Sequence, residues 1–246
     1  MLDLLSKRRG CKYGIWEQAF RRFVKKTTGN RRSLVMWIAD NVYEVKSRAV
    51  SMFVYTAADS PICFDTGISA EPAKREFDAL GFKPEHVKYV FLTHTDSDHV
   101  GGLNLFKNAN VYLSIDEEQM INRSTPRGLG FVHNPPLKKP YTLLKDGDIV
   151  QAGKTRIEAL ATPGHTPGSM SYLVNDSILF VGDTVVLRDG KVRHFSKRHL
   201  RDLTHMDIAT QTKSVKKLAQ LKNISLMVTA HTGFTADFQS AMSNWV

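Results

Sequence analysis

Four side chains able to hold a divalent cation fall within six residues, in the stretch Thr93-His94-Thr95-Asp96-Ser97-Asp98-His99-Val100-Gly101-Gly102. Two imidazoles and two carboxylates suit a borderline divalent metal, which accepts nitrogen and oxygen donors alike. Taken by itself the cluster could be a solvated acidic loop, so its setting matters. It follows the apolar run Tyr89 to Leu92 and precedes a helix-like stretch, which places it at a strand end, where the active sites of α/β architectures gather.

Three further segments each put one ligand-type residue on a Gly- or Pro-rich turn after a strand-like run. They are Thr162-Pro163-Gly164-His165-Thr166-Pro167-Gly168-Ser169, Leu179-Phe180-Val181-Gly182-Asp183-Thr184 and Val228-Thr229-Ala230-His231-Thr232-Gly233. Phe64-Asp65-Thr66-Gly67 is an earlier turn of similar make. In order and setting these motifs resemble the metallo-β-lactamase superfamily, whose pattern is an early Asp-Thr-Gly turn, H-x-H-x-D-H, a later His, a bridging Asp and a final His. The resemblance covers about residues 33–235. It implies an α/β fold, the four-layer αβ/βα sandwich, with the site at one edge. It also implies that His94, Asp96 and His165 hold a first metal, that Asp98, His99 and His231 hold a second, and that Asp183 bridges the two. Asp65 would support the site without binding metal. Within the family the motifs look closest to glyoxalase-II-like and lactonase-like hydrolases.

One position departs from the pattern, because the second His of H-x-H-x-D-H is Asp96 here. A carboxylate adds negative charge beside Asp98 and Asp183, which should bind a cation well, dampen its Lewis acidity and shift preference toward harder metals. The cofactor expectation is therefore two divalent metal ions with zinc first, and with iron or manganese open; a single filled site is the alternative. The flavo-diiron branch of the superfamily carries Glu at this position, but the chain has no room for its appended flavodoxin-like domain. A water between two cations attacks an electrophilic carbon or phosphorus, and the resemblance implies that Asp98 is the catalytic group that orients it and passes a proton to the leaving group. No Gly-x-Ser-x-Gly elbow competes for the role of nucleophile.

The reading is a metallo-hydrolase acting on a small ester-like molecule: a thioester, a lactone or a phosphodiester. Glyoxalase II itself is disfavoured because only about fifteen residues follow His231, a superfamily nuclease because its large insertions are missing, and a β-lactamase because no signal peptide is evident. Two alternatives stay open, an iron-dependent oxygen or persulfide enzyme of the same fold and a metal-holding module with little turnover.

These residues need elements to carry them. Leu34 to Ile38, Val42 to Val45, Met52 to Thr56 and Ile62 to Phe64 are short β-like runs separated by turn formers, which predicts an antiparallel meander. A helix around Pro72 to Leu80, strands Tyr89 to Leu92 and Val111 to Ser114 and a short helix Asp116 to Ile121 follow. Later come strands Thr155 to Ala161, Met170 to Val174 and Ile178 to Val181, a helix over about Met206 to Leu221 and a strand Leu226 to Ala230. Residues 122–142 hold several Pro and Gly with little periodicity, which suits a lid near the site, where His133 would contact substrate. His86, His194, His199 and His205 match no ligand position and read as structural or exposed. Arg188, Lys191, Arg193, Lys197, Arg198 and Arg201 follow the bridging Asp183, so the small-molecule substrate is expected to be anionic or, failing that, the stretch is a solvated face.

The formal net charge is +10, but ten Lys and Arg against Asp3 and Glu17 in residues 1–32 account for most of it. The body of the chain is nearly neutral, which does not favour nucleic acid. Residues 1–32 form a basic N-terminal extension ahead of a domain over 33–246. Within the extension, Ile15, Trp16, Ala19, Phe20, Phe23 and Val24 make one stripe of an amphipathic helix. It would cover the core or a partner subunit, or make peripheral contact with an anionic membrane surface. Cys11 and Cys63 are too few and too differently placed for a disulfide framework. With no secretory signal and no long apolar run, the expected location is cytoplasmic. The motifs specify no oligomeric state.

Overall fold

The computed structural model describes residues 35–246 apart from 57–59, 80, 128–131, 197–201 and 203. The basic extension, its amphipathic stripe, Cys11 and His199 lie outside the described residues.

The first half is a seven-stranded sheet in sequence order. Strands β1 (Val35–Ala39), β2 (Val42–Ser47), β3 (Val50–Thr56) and β4 (Pro61–Phe64) form the expected antiparallel meander. Helix α1 (Ala70–Ala79) then crosses over, and β5 (Tyr89–Phe91), β6 (Asn110–Ser114) and β7 (Tyr141–Leu144) add in parallel. The short helices α2 (Ser97–Val100) and α3 (Glu118–Ile121) sit in the crossovers after β5 and β6.

The second sheet has six strands. Its strands β8 (Ile149–Ala152), β9 (Thr155–Ala161), β10 (Met170–Val174) and β11 (Ile178–Phe180) are antiparallel neighbours. A two-stranded ribbon, β12 (Leu187–Arg188) with β13 (Lys191–Val192), and helix α4 (Ile208–Ala219) precede β14 (Leu226–Thr229), which pairs in parallel with β11. Strand β15 (Gly233–Thr235) and helix α5 (Phe238–Met242) close the chain. The Asp207 side chain caps the start of α4 by accepting from Thr210 N at 3.0 Å, and Lys216 and Lys217 lie in its last turn, where a cation suits the helix dipole.

Alternation along the strands sorts side chains into three cores. Ile62, Phe64 and Phe91 meet Tyr172, Phe180 and Val228 between the sheets. Cys63, Val90 and Leu92 point the other way, onto Ala73 and Phe77 of α1. Leu173, Leu179 and Met227 pack on Val215 and Leu218 of α4 and on Phe238 of α5. Three cores make four layers, αβ/βα. Strands buried on both faces read as nearly continuous apolar runs, which is why they stand out in the sequence. The sheets lock through aromatic stacking: the Phe64 ring lies 3.8 Å from that of Phe180 and 5.5 Å from that of Phe91. Among the described residues no helix is long and apolar enough to cross a membrane.

Candidate metal centre

The site forms where the loops after β4, β5, β9, β11 and β14 meet at one edge of the sandwich. Backbone bonds tie these loops together before any side chain acts. Thr66 N donates to His99 O at 2.7 Å, Met170 N to Thr93 O at 2.8 Å, Ser51 N to Ala230 O at 2.8 Å and Ala230 N to Gly182 O at 3.1 Å. Gly182 has a φ of +52° and its backbone lies against Thr93, where a Cβ would come within 2.4 Å of Oγ1. A glycine is therefore required one residue before Asp183. Gln211 of α4 donates through Nε2 to the carbonyls of Asp183 and Thr184 at 3.0 and 3.1 Å, which fixes the same turn from its other side.

The structure brings all seven expected ligands together. Each imidazole is anchored by Nδ1 and turns Nε2 inward. His231 Nδ1 donates to Ala49 O at 2.7 Å and His99 Nδ1 to Asp65 Oδ2 at 2.8 Å. His94 Nδ1 lies 3.1 Å from Thr93 Oγ1, whose own hydroxyl proton goes to Asp65 Oδ2 at 2.8 Å. His165 Nδ1 lies 2.8 Å from Nδ1 of His205. Partners of this kind select the tautomer that leaves a lone pair on the inward nitrogen, as in metal-bound histidines. Asp65 thus holds His99 directly and His94 through Thr93. It also accepts from Thr93 N at 2.8 Å, and its φ of +57° is a conformation Asp tolerates better than most residues.

The inward atoms group as His94, Asp96 and His165, as Asp98, His99 and His231, and as His94, His99 and Asp183. Asp96 Oδ2 is 3.5 Å from His94 Nε2 and 3.2 Å from His165 Nε2, and Asp183 Oδ2 is 3.4 Å from His165 Nε2 and 3.2 Å from His231 Nε2. Donors held at about 2.0–2.1 Å by a tetrahedral ion stand about 3.4 Å from one another. His94 Nε2, His99 Nε2 and Asp183 Oδ1 are buried without a hydrogen-bond partner among the described residues. Orphaned buried polar atoms are costly, and three facing one point fit a cation.

Burial and the carboxylates pull the imidazoles in opposite directions, and a proton held on His99 Nε2 would give way to a cation. Burial alone would lower His99, but the carboxylates of Asp65, Asp183 and Asp98 bring its pKa up to about 10. Burial takes His165 down to about 4, and it takes His205, with His165 beside it, to about 4 as well. Burial works against ionisation of Asp183, yet His99 and His165 hold its carboxyl well below the usual range.

Several residues that matter here carry no local signal in the sequence. Arg127 grips Asp96 with two nitrogens: Nε donates to Oδ1 and Oδ2 at 2.9 and 3.0 Å and Nη2 to Oδ2 at 2.8 Å. The negative charge that Asp96 adds is therefore balanced locally by a guanidinium. Glu117, fully buried, accepts from Thr95 N at 2.7 Å, Thr95 Oγ1 at 2.8 Å and Thr166 Oγ1 at 2.6 Å. It clamps the loop of His94 to the loop of His165. His205, read from sequence as structural or exposed, lines the cavity and backs His165. His133, expected to contact substrate, is instead exposed and absent from the cavity wall. Its neighbour Asn134 turns inward and donates to Asp96 Oδ1 at 3.1 Å.

The cavity over the cluster has a volume of about 680 Å³ and includes Ala49, Val185 and Val186 in its wall. Of the basic stretch after Asp183, Lys197, Arg198 and Arg201 lie outside the described residues, and the other three bring little free charge to the cavity. Arg188 is exposed, with Asp189 at 3.7 Å, and Lys191 donates to Ser240 O at 2.8 Å. Arg193 reaches the cavity but is paired with the buried Asp202, which also accepts from Ser196 N at 2.7 Å. Burial works against ionisation of Asp202, but Arg193 and that amide pull its carboxyl below the usual range. A depressed carboxyl stabilises the fold above the unfolded pKa of about 3.9 and loses that contribution as pH falls through the folded value. Asp202→Asn, which leaves Arg193 without its ion pair, should cost about 1–3 kcal/mol at pH 7. Urea melts from pH 7 down to pH 2 should show the gap to wild type closing below about pH 4; a gap independent of pH contradicts this.

A family model described as the metallo-beta-lactamase superfamily matches residues 46–231. The Bacillus subtilis (strain 168) protein named probable metallo-hydrolase YqgX is 30% identical over 137 residues, 54% of this chain and 64% of that protein. The Bos taurus protein named mitochondrial persulfide dioxygenase ETHE1 is 29% identical over 119 residues, 48% of this chain and 41% of that protein. The chain therefore spans less than two thirds of either relative's length. Among solved structures, BJP-1, a subclass B3 metallo-beta-lactamase of Bradyrhizobium japonicum, has a TM-score of 0.62 at 24% identity, covering 80% of this chain and 77% of that one. That likeness shows the fold.

Proposed function

Because the chain belongs to the metallo-β-lactamase superfamily, we propose that it is a metallo-hydrolase whose loop edge acts on a small ester-like substrate, a thioester, lactone or phosphodiester. The observation that carries this reading is the ring of four imidazoles, each anchored by Nδ1, whose Nε2 atoms converge on Asp96, Asp98 and Asp183 with buried donors left unpartnered. His94, Asp96 and His165 would hold one ion and Asp98, His99 and His231 another, with Asp183 between them. Divalent ions, zinc first for this nitrogen and oxygen set and iron or manganese as alternatives, supply an activated water near neutral pH and Lewis-acid stabilisation of the developing oxyanion.

The remaining steps belong to the chain. Asp98 is one-third exposed and faces the cavity, so its carboxylate can both orient the attacking water and carry a proton to the leaving group. Asp65, Thr93, His205 and Ala49 O keep the imidazoles in register through that transfer. Ala49, Val185 and Val186 offer an apolar wall for an acyl or alkyl part of the substrate. Among the described residues the arginines at the cavity, Arg127 and Arg193, are already paired with carboxylates, which supports a substrate of low charge over a polyanion.

The experiment is a panel of thioester, lactone and aryl-phosphodiester substrates. Turnover of at least one should disappear after chelation and return with added zinc. An iron-dependent oxygen or persulfide enzyme is the second reading, favoured by the likeness to a persulfide dioxygenase. Tightly bound iron together with oxygen uptake and no hydrolysis would replace the hydrolase with it.

A further inference from the structure

We propose that Arg127 is a built-in cation of the first donor set, so that the chain holds one divalent ion tightly through Asp98, His99, His231 and Asp183 and admits a second only by displacing the guanidinium. The inference rests on the metal-centre reading above and specifies how that centre loads.

Arg127 Nη2 lies 2.8 Å from Asp96 Oδ2 and 2.9 Å from His165 Nε2, two of the three donor atoms that define the first position. Its Nη1 donates to His165 O at 3.0 Å, and the side chain is only 15% exposed, so the contact is built from several directions. A neutral imidazole has a single ring lone pair. His165 uses Nδ1 against His205, and the lone pair on Nε2 goes either to the guanidinium N–H or to an ion, never to both. A permanent positive charge this close also repels a divalent ion where water screens poorly.

Among the described residues the second donor set has no such occupant. The ion pairs of Asp98 and Asp183 among the described residues are with histidines alone. His94 Nε2, by contrast, is left unpartnered in the first set, so the guanidinium satisfies that position incompletely and a second ion keeps a foothold at high concentration. The same geometry gives a reason for Asp at position 96: a neutral imidazole there would leave Arg127 buried without its carboxylate.

Metal stoichiometry tests this without reference to turnover. The intact apo-protein is titrated with Zn²⁺ against a chromophoric chelator, and the metal retained after gel filtration is measured by elemental analysis. Wild type should retain one ion per chain and bind a second on the order of 100-fold more weakly, the cost of two charge-assisted hydrogen bonds. Arg127→Met, which keeps the apolar stem and removes the charge, should retain two. Two ions of equal affinity on wild type overturn the proposal whether or not the variant folds. A folded Arg127→Met protein with the wild-type affinities overturns it too, while the metal centre stands. A wild-type chain that retains none removes the metal centre itself, and this proposal with it.

Discussion

Asp183→Ala should lower kcat/KM for the hydrolysed substrate by on the order of 1,000-fold or more, a loss of about 4 kcal/mol in transition-state stabilisation. Its carboxylate is shared by the whole cluster, with Oδ2 3.4 Å from His165 Nε2 and 3.2 Å from His231 Nε2 and Oδ1 3.5 Å from His99 Nε2. Removal takes a donor from every ion the edge could hold and strips His99 of one of the carboxylates that surround it. The turn itself should survive, because Gln211 holds the Asp183 and Thr184 carbonyls and not the side chain. A circular dichroism spectrum like that of wild type, combined with lost turnover and reduced zinc content, is the expected pattern. Unchanged turnover in the folded variant would rule out hydrolysis at this edge.

Glu117→Ala should cost about 3–5 kcal/mol of stability in a denaturant melt. The carboxylate accepts three hydrogen bonds in a fully buried position, and truncation leaves the Thr95 amide and hydroxyl short of an acceptor and turns the Thr166 hydroxyl to Ser169 Oγ, 2.8 Å away. The effect should extend to metal affinity, since Thr95 lies between His94 and Asp96 and Thr166 follows His165. Gly168 packs so closely on Glu117 that a Cβ would fall 2.0 Å from its backbone nitrogen, so the loops have little room to rearrange around the gap. Glu117→Gln can keep both bonds from Thr95 with its carbonyl oxygen and turn its amide toward Thr166. It should recover at least half of the loss. A Gln variant as unstable as the Ala variant would show that the negative charge, and not the hydrogen bonding, is what Glu117 contributes.

The seven clustered candidate ligands and Asp65 are legible in the sequence because each sits on a short turn immediately after an apolar run, where residue type and spacing carry the message locally. The doubly buried strands are legible for the reason that makes them stable. Thr155–Ala161 and Met170–Val174 fall where their apolar runs put them, and helix α4 is two residues shorter at each end than its periodicity suggests. Strands β7 and β8 were not evident: both are partly exposed, and Tyr141–Leu144 and Ile149–Ala152 bury one residue each, too weak an alternation to separate from a loop. The ribbon of two-residue strands and the five-residue helix α5 are too short to show a period.

The supporting residues were missed for a different reason. Arg127 and Asn134 stand 31 and 38 positions from Asp96, and Glu117 is 49 from Thr166, so nothing local ties either end to the other. Electrostatics offered one clue. A carboxylate in place of an expected imidazole is an extra buried charge, and a buried charge implies a cation nearby. The irregular stretch after residue 122 held Arg123 and Arg127 as candidates, while His133 drew attention through its chemistry alone. The structure turns Asn134 inward and leaves His133 in solvent, one residue away and on the other side of the chain.

Anomalous diffraction from crystals of the zinc-loaded protein, recorded on both sides of the zinc edge, tests the metal centre most directly. The strongest peak should lie among His99 Nε2, His231 Nε2 and the carboxylates of Asp98 and Asp183. A crystal without an anomalous peak inside the ring of imidazoles, or with its zinc bound elsewhere on the chain, would contradict the account.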